Sequence, residues 1–179
     1  KLADKILVNP ASISIAIAKP AEGIQQTAIL VHNKNKILMV RYLLEHRNVT
    51  NMIIFASRKS SVNDIGTSLK NAGLDVKTMH SGRTQEERNE IMRLFKANKI
   101  QILVATDILA RGIDIDGLSH VLNFNIPDDP ADNVHRIGRT ARADKTGEAI
   151  AFINEDDQLK WQAIERLLER DIEKANTPE

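Results

Sequence analysis

The hydrophobic positions change their period along the chain, and the changes mark out alternating strands and helices. Apolar runs with little polar alternation fall at 27–31, 51–56, 74–79, 100–105, 121–125 and 148–153. Met52-Ile53-Ile54-Phe55 and Ile102-Leu103-Val104-Ala105 have no polar face at all, as expected of parallel strands covered on both sides. Between the runs the apolar residues recur every three or four positions, the period of an amphipathic helix. Helices are predicted over 34–46, with Ile37, Val40 and Leu44 on one face, and over 60–72, with Val62, Ile65 and Leu69 aligned. A third buries Ile91, Leu94 and Phe95, a fourth starts at Asp129-Pro130, and a last one spans 156–170 and carries Leu159, Ala163 and Leu167. Terminal signals agree with these placements. Gly73 stands where a left-handed C′ residue closes a helix, Thr84-Gln85-Glu86-Glu87 spells a capping box, and Asp129-Pro130 gives an N-cap followed by proline at N1.

Strands alternating with helices predict an α/β fold, a three-layer α/β/α sandwich around a mostly parallel central sheet. Residues 1–23 read as a lead-in or linker: Pro10, Pro20 and Gly23 interrupt it, and Ile13, Ile15 and Ile17 alternate as in a short edge strand. Residues 24–155 form the expected domain, and 156–179 a terminal helix with a loose tail at Asn176-Thr177-Pro178-Glu179.

Composition narrows the function classes. The 179 residues suit one domain. Lys plus Arg is 25 against 24 acidic residues, a net charge of +1, so any nucleic-acid contact must come from basic residues gathered locally. The absence of cysteine excludes disulfides, thiolate zinc sites and cysteine nucleophiles, and makes an intracellular, cytoplasmic location the simpler expectation. No stretch approaches the ~20 apolar residues of a membrane span. The first residues lack the layout of a signal peptide, and the lack of an initiating Met suits a piece of a longer chain. Aromatic residues make up 3%, which leaves little for base stacking and points to backbone contacts instead.

Ligands of open parallel sheets bind beyond the carboxyl ends of the strands. The residues that follow the predicted strands are Ser57-Arg58-Lys59, His80-Ser81-Gly82-Arg83-Thr84-Gln85, Thr106-Asp107 with Arg111-Gly112-Ile113-Asp114, and a helix holding His135, Arg136, Arg139 and Arg142. One edge is thus expected to be polar and basic, a cleft for an anion such as phosphate. Arg136, Arg139 and Arg142 recur every three residues and are predicted to share one helix side, where like charges repel unless an anion answers them. Gly138 within that helix costs about 1 kcal/mol against alanine, which suggests a close backbone approach. A solvated basic face is the competing reading. The chain has no Gly-x-x-x-x-Gly-Lys-Ser/Thr loop and no acidic pair after a strand to hold magnesium. It is therefore expected not to hydrolyse a nucleotide unaided. Asp128-Asp129 leads into Pro130 and reads as a helix cap.

Four stretches carry a family resemblance. Residues 102–115, Ile-Leu-Val-Ala-Thr-Asp-Ile-Leu-Ala-Arg-Gly-Ile-Asp-Ile, resemble motif V of the DEAD-box ATP-dependent RNA helicases. His135-Arg136-Ile137-Gly138-Arg139-Thr140-Ala141-Arg142 resembles motif VI, Met52 to Phe55 the strand of motif IV, and His80 to Arg88 the stretch with a Gln-x-x-Arg pair, Gln85 and Arg88. They occur in family order over about 24–155, and the lead-in is similar to the inter-domain linker. The resemblance is to the C-terminal RecA-like domain of such a helicase.

That resemblance implies an ATP-dependent motor whose two RecA-like domains close on ATP and RNA. Arg139 and Arg142 would be arginine fingers reaching the γ-phosphate held by the N-terminal domain of the same protein, which would also hold Mg²⁺. Asp114, with Gly112 beside it, would lie at the ATP ribose. Thr106, Arg111, Gln85, Arg88, Arg58 and Gly82 would line the RNA track, and His135, Arg136 and Asp107 would couple the two sites. No membrane association is implied, and the piece alone is expected to be monomeric. Departures from the family pattern are Ala143-Asp144 after Arg142, Arg58 in place of a threonine, and Asn133 where an aromatic is common.

Plainer structural roles compete at several positions. Asp107 suits an N-cap equally well, Arg88 a surface partner of Glu86 or Glu87, His80 a satisfied strand-end residue, and Trp161 packing. Two other functions stay open: a related superfamily 2 motor acting on DNA, and a non-catalytic module that binds RNA or protein.

Overall fold

The computed structural model describes residues 23–106, 115–140 and 146–177. Seven strands form one sheet in the order β3-β4-β2-β5-β6-β1-β7. They are β1 (Ile24–Leu30), β2 (Met52–Phe55), β3 (Val76–Met79), β4 (Ile102–Ala105), β5 (His120–Asn123), β6 (Gly147–Ile153) and β7 (Glu173–Asn176). Every pairing among them is parallel. The helices are α1 (Lys36–His46), α2 (Lys59–Asn71), α3 (Gln85–Lys96), α4 (Pro130–Ile137) and α5 (Gln158–Leu168).

Strand alternation sorts the apolar side chains into two layers, because successive residues point to opposite faces. Met52, Ile54, Ile102, Val104, Leu122, Ile150 and Phe152 pack with Met39, Val40 and Leu43 of α1 and with Val62, Ile65 and Leu69 of α2. Their neighbours Ile53, Phe55, Leu103, Ala105 and Val121 pack with Ile91 and Phe95 of α3. Farther along the same face, Ala28, Ala151 and Ile153 meet Val134 of α4 and Trp161, Ile164 and Leu168 of α5. Both faces of β2 and β4 are covered, so their residues are buried throughout. The predicted three-layer parallel sandwich is the observed fold.

Helix ends follow the local signals. Thr84 and Glu87 form the reciprocal capping box, Asp129 accepts from the Ala131 amide with Pro130 behind it, and Gly73 takes φ +80° past the end of α2. Three expectations are corrected. The buried face of α1 is Lys36, Met39, Val40 and Leu43, with Ile37 and Leu44 only half-buried. Leu159 on α5 is 76% exposed while Trp161, Ile164 and Leu168 are buried, so the apolar stripe is turned from the one predicted. Asn176 is not in a loose tail: 173–176 add an edge strand to β1, anchored by the Lys174 ammonium on Glu165 at 2.7 Å.

Candidate functional site

The carboxyl ends of β2 to β5 bring Ser57, His80, Thr106 and Asn125 together, as Thr106 N–H donates to the Met79 carbonyl (3.2 Å) and Phe124 N–H to the Phe55 carbonyl (2.9 Å). Around this edge lies a basic collar. Arg58 is exposed at the N-cap of α2 and Lys59 opens the helix, with no acidic residue in its first turn. Two cations at a helix amino end oppose its dipole, a placement that favours an arriving anion. The sequence places Lys59 at this edge but gives it no role in the RNA track. Its signal was this same mismatch between charge and helix end. A Cβ built on Gly82 would come within 2.6 Å of the Lys59 ammonium, so the small residue lets the lysine lie over the turn.

His80 shapes that turn. It is 6% exposed, its Nδ1 accepts from the Gly82 amide at 3.1 Å, and its Nε2 meets Asn63 Oδ1 at 3.1 Å. The pair of contacts fits a neutral ring with the proton on Nε2. Burial pushes its pKa down, and Arg83, Lys59 and Arg88 push further, with Glu87 opposing. His80 is thus the satisfied strand-end residue that the sequence suggested.

Gln85, exposed at the start of α3, donates to Asn89 Oδ1 at 3.0 Å. Arg88 is half-buried, with Nη2 3.4 Å from the Ser81 carbonyl, and its Nε is a buried donor without a hydrogen-bond partner. Glu87, the competing partner considered for Arg88, pairs instead with Arg83 at 3.2 Å.

The arginine row is corrected. α4 ends at Ile137, and Gly138 is its C-cap rather than an interior residue. Arg136 does not face solvent beside Arg139: it is 4% exposed. Its Nη1 donates to Asn123 Oδ1 (2.7 Å) and to the Asn125 carbonyl (2.9 Å), and its guanidinium lies 5.2 Å from the centre of the Phe55 ring. Asn123 in turn donates to buried Asn133 at 2.8 Å. His135 stays exposed, 4.0 Å from Asp132.

Arg139 occupies a second zone. Its carbonyl accepts from the Leu118 amide at 3.1 Å, Thr140 bridges to Leu118, and Leu118 leads into the amino end of β5. α4 therefore runs back from the carboxyl edge, and Arg139 does not share the rim of Thr106 as expected. Its guanidinium is half-buried, 3.7 Å from exposed Asp116. The expected residues Asp107, Arg111, Gly112, Asp114 and Arg142 lie outside the described residues. Segment 107–114, which joins Thr106 to the Arg139 zone in sequence, lies outside them as well.

Comparison with known proteins gives a consistent result. The helicase conserved C-terminal domain family matches residues 34–144. The DEAD-box ATP-dependent RNA helicase CshA of Bacillus licheniformis is 36% identical over 99% of the chain, which spans 37% of that protein. A crystal structure of a DEAD box protein from Methanococcus jannaschii aligns with a TM-score of 0.79 and 34% identity, over 86% of this chain and 42% of that one. The Saccharomyces cerevisiae protein Dbp5 bound to RNA and ADP BeF3 aligns with a TM-score of 0.83 and 27% identity, over 98% of this chain and 47% of that one. The chain spans little more than a third of the curated relatives it matches. With four ordered motifs on a parallel RecA-like sheet, the chain belongs to the helicase conserved C-terminal domain family, in its DEAD-box branch.

Proposed function

We propose that this chain is the C-terminal half of an ATP-dependent RNA helicase motor. The carboxyl edge of the sheet takes the RNA backbone, and the Arg139 zone completes a nucleotide pocket on a partner domain. The observation that carries this reading is the separation of two cationic zones within one parallel sheet: a collar of Arg58, Lys59, Arg83 and Arg88 at the carboxyl edge, and Arg139 beside the amino end of β5.

The collar suits phosphate rather than base edges. Guanidinium, ammonium, the Gln85 amide and the Thr106 hydroxyl can meet phosphates and 2′-hydroxyls without reading sequence. Gly82 keeps the turn low enough for Lys59 to reach over it. Arg111 belongs to this surface in the same reading.

Arg139 is the proposed arginine finger, with Arg142 as the second. The ion pair with exposed Asp116 does not stand against this role, since exposed ion pairs are worth about 0–1 kcal/mol. Facing a transferring phosphoryl group, such an arginine accelerates hydrolysis by roughly 10³–10⁵ in nucleotide hydrolases. Asp114 and Gly112 would meet the ribose, and His135, Arg136 and Asp107 would couple this pocket to the RNA edge. An N-terminal RecA-like domain of the same protein would bind the triphosphate and Mg²⁺. The piece alone, without a phosphate loop, would be a monomer that does not turn over ATP. No helix among the described residues is long and apolar enough to cross a membrane, and a cytoplasmic site of action suits the proposed substrate.

ATP turnover by the full-length protein carrying this chain, measured with single-stranded RNA and with DNA of the same sequence, tests the reading. Stimulation by RNA well above that by DNA is expected. Equal stimulation would favour a DNA motor, and none at all would favour a non-catalytic binding module.

A further inference from the structure

The two zones are joined by a short chain of polar contacts that runs through one residue, Asn125. At the carboxyl edge, the Ser57 amide donates to Asn125 Oδ1 at 3.1 Å. Ser57 immediately precedes Arg58 and Lys59 of the basic collar. The main chain of the same asparagine faces the other way, its carbonyl accepting from Arg136 Nη1 at 2.9 Å. Arg136 lies in the last turn of α4, and its own carbonyl accepts from the Arg139 amide at 3.1 Å. Three consecutive hydrogen bonds thus lead from the residue before the collar to the backbone of the proposed finger.

The rest of the surroundings makes this path stiff. The Arg136 guanidinium is buried, and Asn123 fixes it in the plane above the Phe55 ring. Asn133 fixes Asn123. Phe55 and Phe124 are tied by their own backbone bond at 2.9 Å. A shift of the Ser57–Lys59 turn thus has a route through the Asn125 carboxamide to Arg136 and the end of α4.

We infer that Asn125 is a positioning residue that couples RNA contact at the β2–α2 turn to the placement of Arg139. At the carboxyl edge its side chain meets the Ser57 amide rather than a collar cation, so its part there is to hold the turn. This inference rests on the proposed helicase reading, and it names the residue through which the two sites of that reading communicate. The role needs only an acceptor at the Asn125 side chain and the backbone carbonyl, because the Ser57 amide donates to Oδ1. An aspartate can fill it; an alanine cannot.

The test uses the full-length protein and a fluorescent single-stranded RNA oligonucleotide, with ATPase stimulation, RNA affinity and thermal midpoint read for each variant. Asn125→Ala is expected to lower the RNA-stimulated increase in ATPase about tenfold, within the usual span of coupling between sites, while RNA affinity in the absence of nucleotide stays within about twofold. Asn125→Asp is expected to restore stimulation. Unchanged stimulation in Asn125→Ala overturns the inference. So does a parallel loss of RNA affinity and stimulation, which would make Asn125 part of the binding surface, and so does a loss that Asn125→Asp fails to repair. If the unaltered protein itself shows no RNA stimulation, the helicase reading fails first.

Discussion

Arg136 Nη1 lies 2.7 Å from Asn123 Oδ1, a buried guanidinium oriented by a carboxamide on the neighbouring strand. The contact ties α4 to β5 and turns inward the arginine that sequence spacing places on an outer face. It also fixes where α4 must stop, because the residues after Ile137 have to reach Leu118.

Arg136 should therefore matter for stability before it matters for turnover. Replacing it with methionine leaves the Asn123 oxygen and the Asn125 carbonyl without this donor, at roughly 1–3 kcal/mol for each buried group left unsatisfied. Lysine should fail to rescue, since its compact ammonium cannot reproduce the delocalised guanidinium over the Phe55 ring. Urea unfolding of the domain should show a lower midpoint with an unchanged slope for both variants. A wild-type midpoint in Arg136→Lys would refute the role of the guanidinium.

Gly66 in the middle of α2 faces β3. A Cβ there would come within 2.3 Å of Thr78 Cγ2, and Thr78 is held in place by Arg83 Nη2, which donates to its hydroxyl at 2.9 Å. Gly66→Ala should gain about 1 kcal/mol of helix propensity and lose roughly 1–3 kcal/mol to overpacking, a net destabilisation. Thr78→Ser removes the offending methyl and keeps the hydroxyl. The double variant should be more stable than Thr78→Ser alone; a clash that persists in thermal melts of the double variant would contradict the packing described.

Two histidines set an acid limit. Burial lowers the pKa of His80, assisted by Arg83, Lys59 and Arg88 against Glu87, and burial lowers that of His120, assisted by Arg47 against Glu148. Each ring binds its proton less readily folded than unfolded, so stability falls as the pH drops below the ordinary histidine value of 6.5. Well above that value neither ring contributes to the slope. Denaturant midpoints should decline between about pH 7 and pH 5.5, and His80→Asn with His120→Asn should flatten the decline. An equally steep fall in the double variant would assign it to other groups.

Much of this was legible in the sequence, because the strands have no polar face and the helix caps are local signals. Thr84 and Glu87, Asp129 and Pro130, and Gly73 were readable because each acts within four residues. The failures are tertiary. Leu159, Ala163 and Leu167 keep helical spacing as well as Trp161, Ile164 and Leu168 do, and only the partner surface decides between them. Glu173 to Asn176 carries too few apolar residues to announce a strand, as befits a charged edge that discourages further pairing. The arginine row had the right period, but the bridge between Leu118 and Thr140, residues far apart in sequence, ends the helix before Arg139. The Asn123, Asn125 and Asn133 network was equally hidden, since nothing local distinguishes a buried asparagine from a turn-forming one.

The most direct measurement is ATP turnover at saturating RNA by the full-length protein with Arg139→Ala, alongside its ATP affinity. If Arg139 completes the nucleotide pocket of a partner domain, turnover should fall by about 10³-fold or more while ATP affinity and the thermal midpoint stay near those of the unaltered protein. Turnover within a few-fold of the unaltered protein would contradict the assignment, and with it the two-zone motor.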